Sequence, residues 1–345
     1  MIPIQNIYYM LSYAFQVLNE QGYKNIATEQ FNNTGELMAA ILEKGIAIQL
    51  KRGLGKEYIL QTEALSSLRG KIDIAESIKT QSMLRKQLIC TYDEFSVNSI
   101  MNRIIKSTVE LLLRSNISKQ RKKNLRKLMV YFSEVDFIDL YTVNWNVQYN
   151  RNNQTYHMLI SICYLVVKGL LQTQSNGHTE LMDFLDEQRM CRLYEKFILE
   201  YYRKEFKNQI TANASQIPWQ LDNEENSMLP VMQSDIMLQS GEKVLIIDAK
   251  YYEHSTQVQF DKHTLHSGNL YQIFTYVKNK EYELREKDHT VSGMLLYAKT
   301  DEEIYPNNVY QMSGNQITVR TLDLNLPFDE IAGQLNTIAK THFDL

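Results

Sequence analysis

The segment KVLIIDAKYY, Lys243 to Tyr252, constrains the fold more than any other stretch of the chain. Its aliphatic run follows a turn at Ser240–Gly241 and reads as a buried strand. Yet it carries an aspartate and a lysine, and burying charge is costly unless something compensates it. Successive strand residues face opposite sides, so Asp248 and Lys250 project together and Ala249 points away. The preceding run, LPVMQSDIMLQ, is also strand-like, and the Ser-Gly-Glu turn joins the two as a hairpin. That hairpin brings Asp235 across to Asp248. Two carboxylates so placed repel, and one pKa rises. A divalent cation removes the repulsion, and oxygen ligands of this kind suit Mg²⁺ or Mn²⁺. The Ala249 carbonyl offers a further ligand, with Asp235 and Asp248 as the metal-binding side chains. Such a set serves phosphodiester hydrolysis, in which a metal polarises the phosphate and acidifies a bound water. Lys250 then orients or helps deprotonate that water and offsets transition-state charge.

Around this hairpin the second half of the chain reads helix, strand, strand, helix, strands, helix. That order predicts a mixed sheet with helices on its faces. The helix before the hairpin is QRMCRLYEKFILEYYRKEF; SGNLYQIFTYVKNK follows it, and a final helix spans about Phe328 to Thr341. The first half opens with a helix after Pro3, in which Ile4, Ile7, Leu11, Phe15 and Leu18 recur at helical spacing. A second helix is expected near Glu36–Leu50, then a small β-region with hairpins around Gly53–Gly55 and Arg69–Gly70, then helices over Asn98–Ser115 and Tyr156–Gln172. The polar stretch TQSNGHTE marks the boundary between two domains, residues 1–180 and 181–345. The fold class is mixed α/β throughout.

Net charge is −3, so the chain has no global basic excess of the kind that grips DNA unaided. Its basic residues instead cluster: six Lys or Arg lie between Lys119 and Lys127, a face for DNA, for an acidic partner surface or simply for solvent. Cys90, Cys163 and Cys191 are far apart, with no metal or redox spacing, which predicts a reducing cytoplasm and core roles. The apolar N-terminus lacks a basic start and a cleavage site, and no apolar run reaches membrane-spanning length. No GxxxxGK[ST] occurs, so the chain has no nucleotide-binding P-loop. His263 and His266, three apart, suggest a loop near DNA rather than a zinc site.

Asp235, twelve intervening residues, then Asp248-Ala249-Lys250 resembles the PD-(D/E)xK nuclease signature, with Ser234 where the leading proline would stand. Gln272 and Tyr276 resemble the QxxxY motif of RecB-like members, which implies that Gln272 supports the active site. Glu195 occupies the helix where some members supply another metal ligand, a role the resemblance leaves open here. Further along the chain, IPIQNIYYMLSYAF, GKIDI, NRIIKST, LYEKF, LIIDAKYY and NLYQ are similar to the McrC nuclease subunits of McrBC-type, modification-dependent restriction systems. That resemblance implies a McrB-like AAA+ GTPase hexamer as partner, docked through the N-terminal half and stimulated by it. It implies double-stranded DNA bearing modified cytosine as substrate, cut by the C-terminal half. Two other readings stay open: an adaptor that only activates an AAA+ motor, and a free-standing Mg²⁺ nuclease of a repair system.

Overall fold

A computed structural model of the chain describes residues 2–15, 18, 23, 26, 29, 31–149, 153, 155–173, 187–222, 228–252, 257–259, 262–299 and 305–345. By compactness it divides into two units, Met1–Gln30 with Asp183–Leu345, and Phe31–Met182. The expected boundary stretch, TQSNGHTE, lies almost wholly outside the described residues. No helix among the described residues is long and apolar enough to cross a membrane.

The first unit opens with α1, Ile4–Ala14. Assigning residues 1–180 to one domain differs from the structure here, because α1 packs with the C-terminal half. The Asn6 amide donates to the carbonyls of Leu324 and Leu326, each at 2.8 Å. The ring of Tyr9 stacks on Phe328 with centroids 4.5 Å apart. Tyr13 meets Phe197 edge-on at 5.7 Å. These contacts bury one face of a helix too short to stand alone in water.

The second unit follows. Helix α2, Thr34–Arg52, starts where the Asn33 side chain accepts from the Glu36 amide at 2.9 Å, and it ends at Gly53 with φ near 89°. Gly53–Gly55 therefore terminates a helix and makes no hairpin, contrary to expectation. Strands β1, Glu57–Leu65, and β2, Lys71–Asp73, do not pair with each other; β3, Leu88–Ser96, lies between them in an antiparallel sheet. The turn at Arg69–Gly70 thus links strands on opposite sides of β3. Gly70 is required there: at φ 66° a Cβ would come within 2.4 Å of the Thr91 carbonyl oxygen. The short helix α3, Ile74–Lys79, precedes β3, and α4, Ile100–Arg114, follows it, capped by Ser99. Helices α5, Lys119–Met129, and α6, Tyr156–Thr173, complete the unit.

The chain returns to the first unit with α7, Glu187–Glu205, and the short strands β4, Thr211–Asn213, and β5, Gln216–Ile217. Next come β6, Met232–Gln233, β7, Ile236–Ser240, and β8, Lys243–Lys250. The hairpin predicted at Ser240–Gly241 joins β7 to β8, with Gly241 at φ 58°. A ribbon of β9, Gln257–Gln259, and β10, Lys262–Thr264, leads to α8, Ser267–Glu283. Strand β11, Thr290–Ala298, the hairpin of β12, Asn308–Met312, with β13, Asn315–Leu322, and α9, Phe328–Phe343, finish the fold.

The sheet so built has six strands in the order β12-β13-β11-β8-β7-β4. Strands β8, β11 and β13 are parallel, and the others run antiparallel to their neighbours. This is the mixed α/β architecture expected. Because β8 is central, it is apolar from Val244 to Ile247. Val244 and Ile246 on one side of β8 share an apolar core with Ile273 and Val277 of α8 and with Val291 and Leu295 of β11. Asp248 and Lys250 continue that same row at the carboxyl end of the strand.

Helix α8 comes this close because β11 has a glycine beneath it. A Cβ on Gly293 would lie 2.8 Å from Ile273, 2.9 Å from Val277 and 2.9 Å from Ile317. Interiors packed to this density do not absorb an added side chain without strain. Gly293→Val is expected to destabilise the protein by about 1–3 kcal/mol, read from urea unfolding.

Candidate active site

The hairpin register pairs Ile236 with Ile247, and one further step sets Asp235 opposite Asp248. Asp235 stands just before β7, where its carboxylate Oδ2 accepts from the Ala249 amide at 2.9 Å. It is thus tied to the backbone between Asp248 and Lys250. Asp248 is only 1% exposed. The Lys250 ammonium Nζ lies 2.8 Å from Asp248 Oδ2. Apart from the Lys250 ammonium and the neighbouring Asp235 carboxyl, no donor meets the Asp248 oxygens among the described residues. The pairing leaves further lone pairs of this buried carboxylate without donors.

Lys250 also donates to Gln272 Oε1 at 3.3 Å, and Gln272 Nε2 donates to the Tyr276 hydroxyl at 2.9 Å. Gln272 and Tyr276, one turn apart on α8, thereby hold the lysine from the helix side. The expected residues Asp235, Asp248, Ala249, Lys250 and Gln272 all meet at the carboxyl end of β8. Glu195 of α7 is electrostatically linked to them through Asp248 and Lys250. Its Oε1 accepts from the Cys191 thiol at 3.1 Å. Cys191 is thus not a plain core residue, unlike the buried Cys90 and Cys163.

The electrostatics follow from burial and like charge. Loss of solvation, with Asp248 and then Glu195 nearby, pushes the Asp235 carboxyl up to about 8. Burial likewise raises Glu195, against the Cys191 hydrogen bond and Lys250, which favour its ionised form. Burial acts to lower Lys250, but Asp248 and Asp235 outweigh it and hold its ammonium above the ordinary lysine range. Three acid groups, Asp235, Asp248 and Glu195, thus face one lysine at this point of the protein.

Among the described residues, no three His, Cys, Asp or Glu side chains are clustered closely enough to hold a metal by themselves. Mg²⁺ does not need three, because it keeps several waters and is commonly bound through one or two carboxylates. Asp248, with buried lone pairs to spare, and Asp235, its carboxyl raised by burial and by Asp248, suit such an ion. The Ala249 carbonyl lies on the strand between them and the lysine.

Composition and spacing did not single out Asn269, Tyr252 and Tyr297. The Asn269 amide donates to the Tyr297 hydroxyl at 2.9 Å and its oxygen accepts from the Tyr252 hydroxyl at 3.3 Å. Tyr297 is paired with Lys250 across β11 and β8. Buried Asn269 therefore pins the first turn of α8 to the strands that carry the site. The signal was present in sequence: Asn269 lies three residues before Gln272, on the same helix face. His266 packs its ring edge-on against Tyr252, with centroids 5.4 Å apart. The side chain of His263 lies outside the described residues.

Fold and site together define a mixed α/β protein with an acid–lysine cluster at the carboxyl end of a central sheet strand. The model of the family described as McrBC 5-methylcytosine restriction system component matches residues 5–298. The chain belongs to that family. A relative in Escherichia coli (strain K12), the type IV methyl-directed restriction enzyme EcoKMcrBC, is 30% identical over 329 residues, covering 94% of this chain and 93% of that protein. Two solved structures are similar. One is a half-complex from the tetradecameric assembly of Thermococcus gammatolerans McrB AAA+ hexamers with bound McrC, with TM-score 0.47 and 18% identity, over 97% of this chain and 76% of that one. The other, the Thermococcus gammatolerans McrBC complex, has TM-score 0.42 and 21% identity over 59% of each chain.

A carboxylate whose folded pKa is raised contributes stability below its unfolded pKa, near 3.8, and that contribution is lost as pH rises through about 8. Asp235→Asn keeps an oxygen for the Ala249 amide and removes the charge. In metal-free buffer with chelator, the variant is expected to melt above the wild-type protein, by a margin that grows from about pH 4 to pH 8. Parallel melting curves at four pH values across that range check it.

Proposed function

We propose that this chain is the Mg²⁺-dependent DNA endonuclease subunit of a modification-dependent restriction complex. In this reading it cuts phosphodiesters when assembled with a McrB-like AAA+ GTPase hexamer on DNA bearing modified cytosine. The observation that carries the proposal is the convergence of Asp235, Asp248 and Lys250 on one spot, in a family of restriction system components. It fits the PD-(D/E)xK resemblance in residue type, order and strand position. The partner, the modified base and the stimulation of GTP hydrolysis are carried by family membership together with the sequence resemblance.

Asp235 and Asp248 would hold the ion, with the Ala249 carbonyl. Bound there, Mg²⁺ or Mn²⁺ would supply Lewis-acid polarisation of the scissile phosphate and a more acidic water. Lys250, kept protonated by the two aspartates, presents an ammonium that orients the attacking water and offsets charge on the phosphoryl oxygens. Its raised pKa makes proton abstraction the lesser part of its role. Gln272 fixes where that ammonium points, and Tyr276 fixes Gln272.

The test uses the full chain with its GTPase partner on methylated duplex DNA. Asp248→Ala is expected to reduce cleavage by about 10²–10³-fold, the effect of losing several kcal/mol of metal-assisted stabilisation. GTPase stimulation is expected to stay at the wild-type level. Mg²⁺ should also raise the melting temperature of the wild-type chain and leave that of Asp248→Ala unmoved. Wild-type cleavage by Asp248→Ala would leave only the adaptor reading. Cleavage by the chain alone, without partner or nucleotide, would favour a free-standing nuclease.

A further inference from the structure

Helix α5 divides its polar residues sharply between two faces. Arg121 and Asn124 point inward, where Arg121 pairs with Glu43 at 2.8 Å and with Glu36 at 3.7 Å, and Asn124 donates to Glu43 at 3.0 Å. Leu125, on the same side, is fully buried. This inner face accounts for one of the six cations of the run. The other five, Lys119, Lys122, Lys123, Arg126 and Lys127, lie on the outer side, all exposed but Lys122, which is half-buried. Among the described residues none of the five side chains has an ion pair or hydrogen bond, whereas Lys79, Arg114, Lys204 and Lys280 of other helices are paired with nearby acids. No Asp or Glu occurs anywhere between Leu111 and Ser133.

Their spacing, i, i+3, i+4, i+7 and i+8, makes one continuous stripe. At 1.5 Å per residue the stripe is about 12 Å long. Along one strand of a duplex, phosphates recur every 3.4 Å of axis, so about three to four phosphates face a stripe of that length. Four of the five are lysines, a residue depleted from the cores of protein–protein interfaces and suited to phosphate as a mobile point charge. A chain of net charge −3 that leaves five neighbouring cations unneutralised keeps repulsion in its fold, and a polyanion relieves it.

We propose that the outer face of α5 is a sequence-independent grip for the DNA sugar–phosphate backbone, on the unit that lacks the acid–lysine site. The proposal rests on the reading of DNA as substrate and adds a second contact surface to it. An acidic protein surface is the competing occupant, and the experiment separates the two.

The full chain is titrated onto a fluorescent duplex of about thirty base pairs in chelator, where no cutting occurs, over a series of salt concentrations. The variant K123Q/R126Q/K127Q is compared with K86Q/K207Q/K340Q, which removes the same charge at exposed sites elsewhere. Each phosphate contact contributes about 0.9 to the slope of log affinity against log salt, so the α5 variant should lose about 2–3 from the slope. Its affinity at low salt should fall at least about tenfold, while the control variant stays near wild type. K123R/K127R, which preserves charge, should bind as wild type does. Equal slopes for the α5 and control variants overturn the proposal. Loss of partner binding by the α5 variant with an unchanged DNA slope also overturns it, and assigns the face to an acidic protein. Because the readout is binding without metal, a failed cleavage test with an intact α5 slope difference would count against the nuclease reading alone.

Discussion

The charge of Asp248, buried at the end of the central strand, is what the rest of the first unit is arranged around. An ionised carboxylate there is tolerable only if a cation meets it. Lys250 does so from two residues along the same strand, so the compensation is local and built into the alternation of β8. The lysine in turn needs a fixed position, which α8 supplies through Gln272 and Tyr276. The helix needs a close seat, which Gly293 supplies, and a fixed first turn, which Asn269 supplies through Tyr252 and Tyr297. Each requirement follows from the one before it, and together they explain why a glycine and an asparagine outside the acid cluster belong to the site's architecture.

One row of side chains on β8 serves both core and chemistry. Val244 and Ile246 pack beneath α8, and Asp248 and Lys250 extend that row into the site. A site that continues a packed core inherits its rigidity, which suits the geometric precision that catalytic constellations require. The cost is visible at Asp235. Its carboxyl is tied by the Ala249 amide into a position where burial and Asp248 disfavour its charged form. Stability is given up there to keep two carboxylates together, as is common where function places like charges in one spot.

Much of this was legible in the sequence because it depends on local rules. The β7–β8 hairpin followed from a turn between two apolar runs, and the facing of Asp248 and Lys250 from strand alternation. The place of Gln272 beside them was what the QxxxY resemblance implied. What was not legible depends on pairing between distant segments. Gly53–Gly55 looks like a hairpin tip by composition but ends α2, since glycine serves both purposes. The Arg69–Gly70 turn is real, yet no local pattern says that β3 inserts between the strands it joins. The place of α1 was hidden for the same reason. Its apolar stripe announces a helix with a partner, but Leu324, Leu326 and Phe328 lie some three hundred residues away. Cys191 was read as a core residue because its neighbours are apolar; Glu195, one helical turn on, gives its thiol an acceptor.

The distribution of charge differs between the two units. Asp235, Asp248 and Glu195 stand against one lysine, so the site by itself offers a phosphodiester little net attraction. An anionic substrate reaches such a place only if positive charge is brought to the site and if the DNA is held by positive charge away from it. A divalent cation between the aspartates would meet the first condition. The outer face of α5 would meet the second, and a partner that grips DNA would add to it. A net charge of −3 is therefore no obstacle to work on DNA, because what matters is where the cations are left free. Among the described residues Lys250 and Arg121 are paired with acids, while the five outer cations of α5 are not. Buried pairs organise the fold, and the outer cations of α5 would supply the long-range attraction that the candidate site lacks.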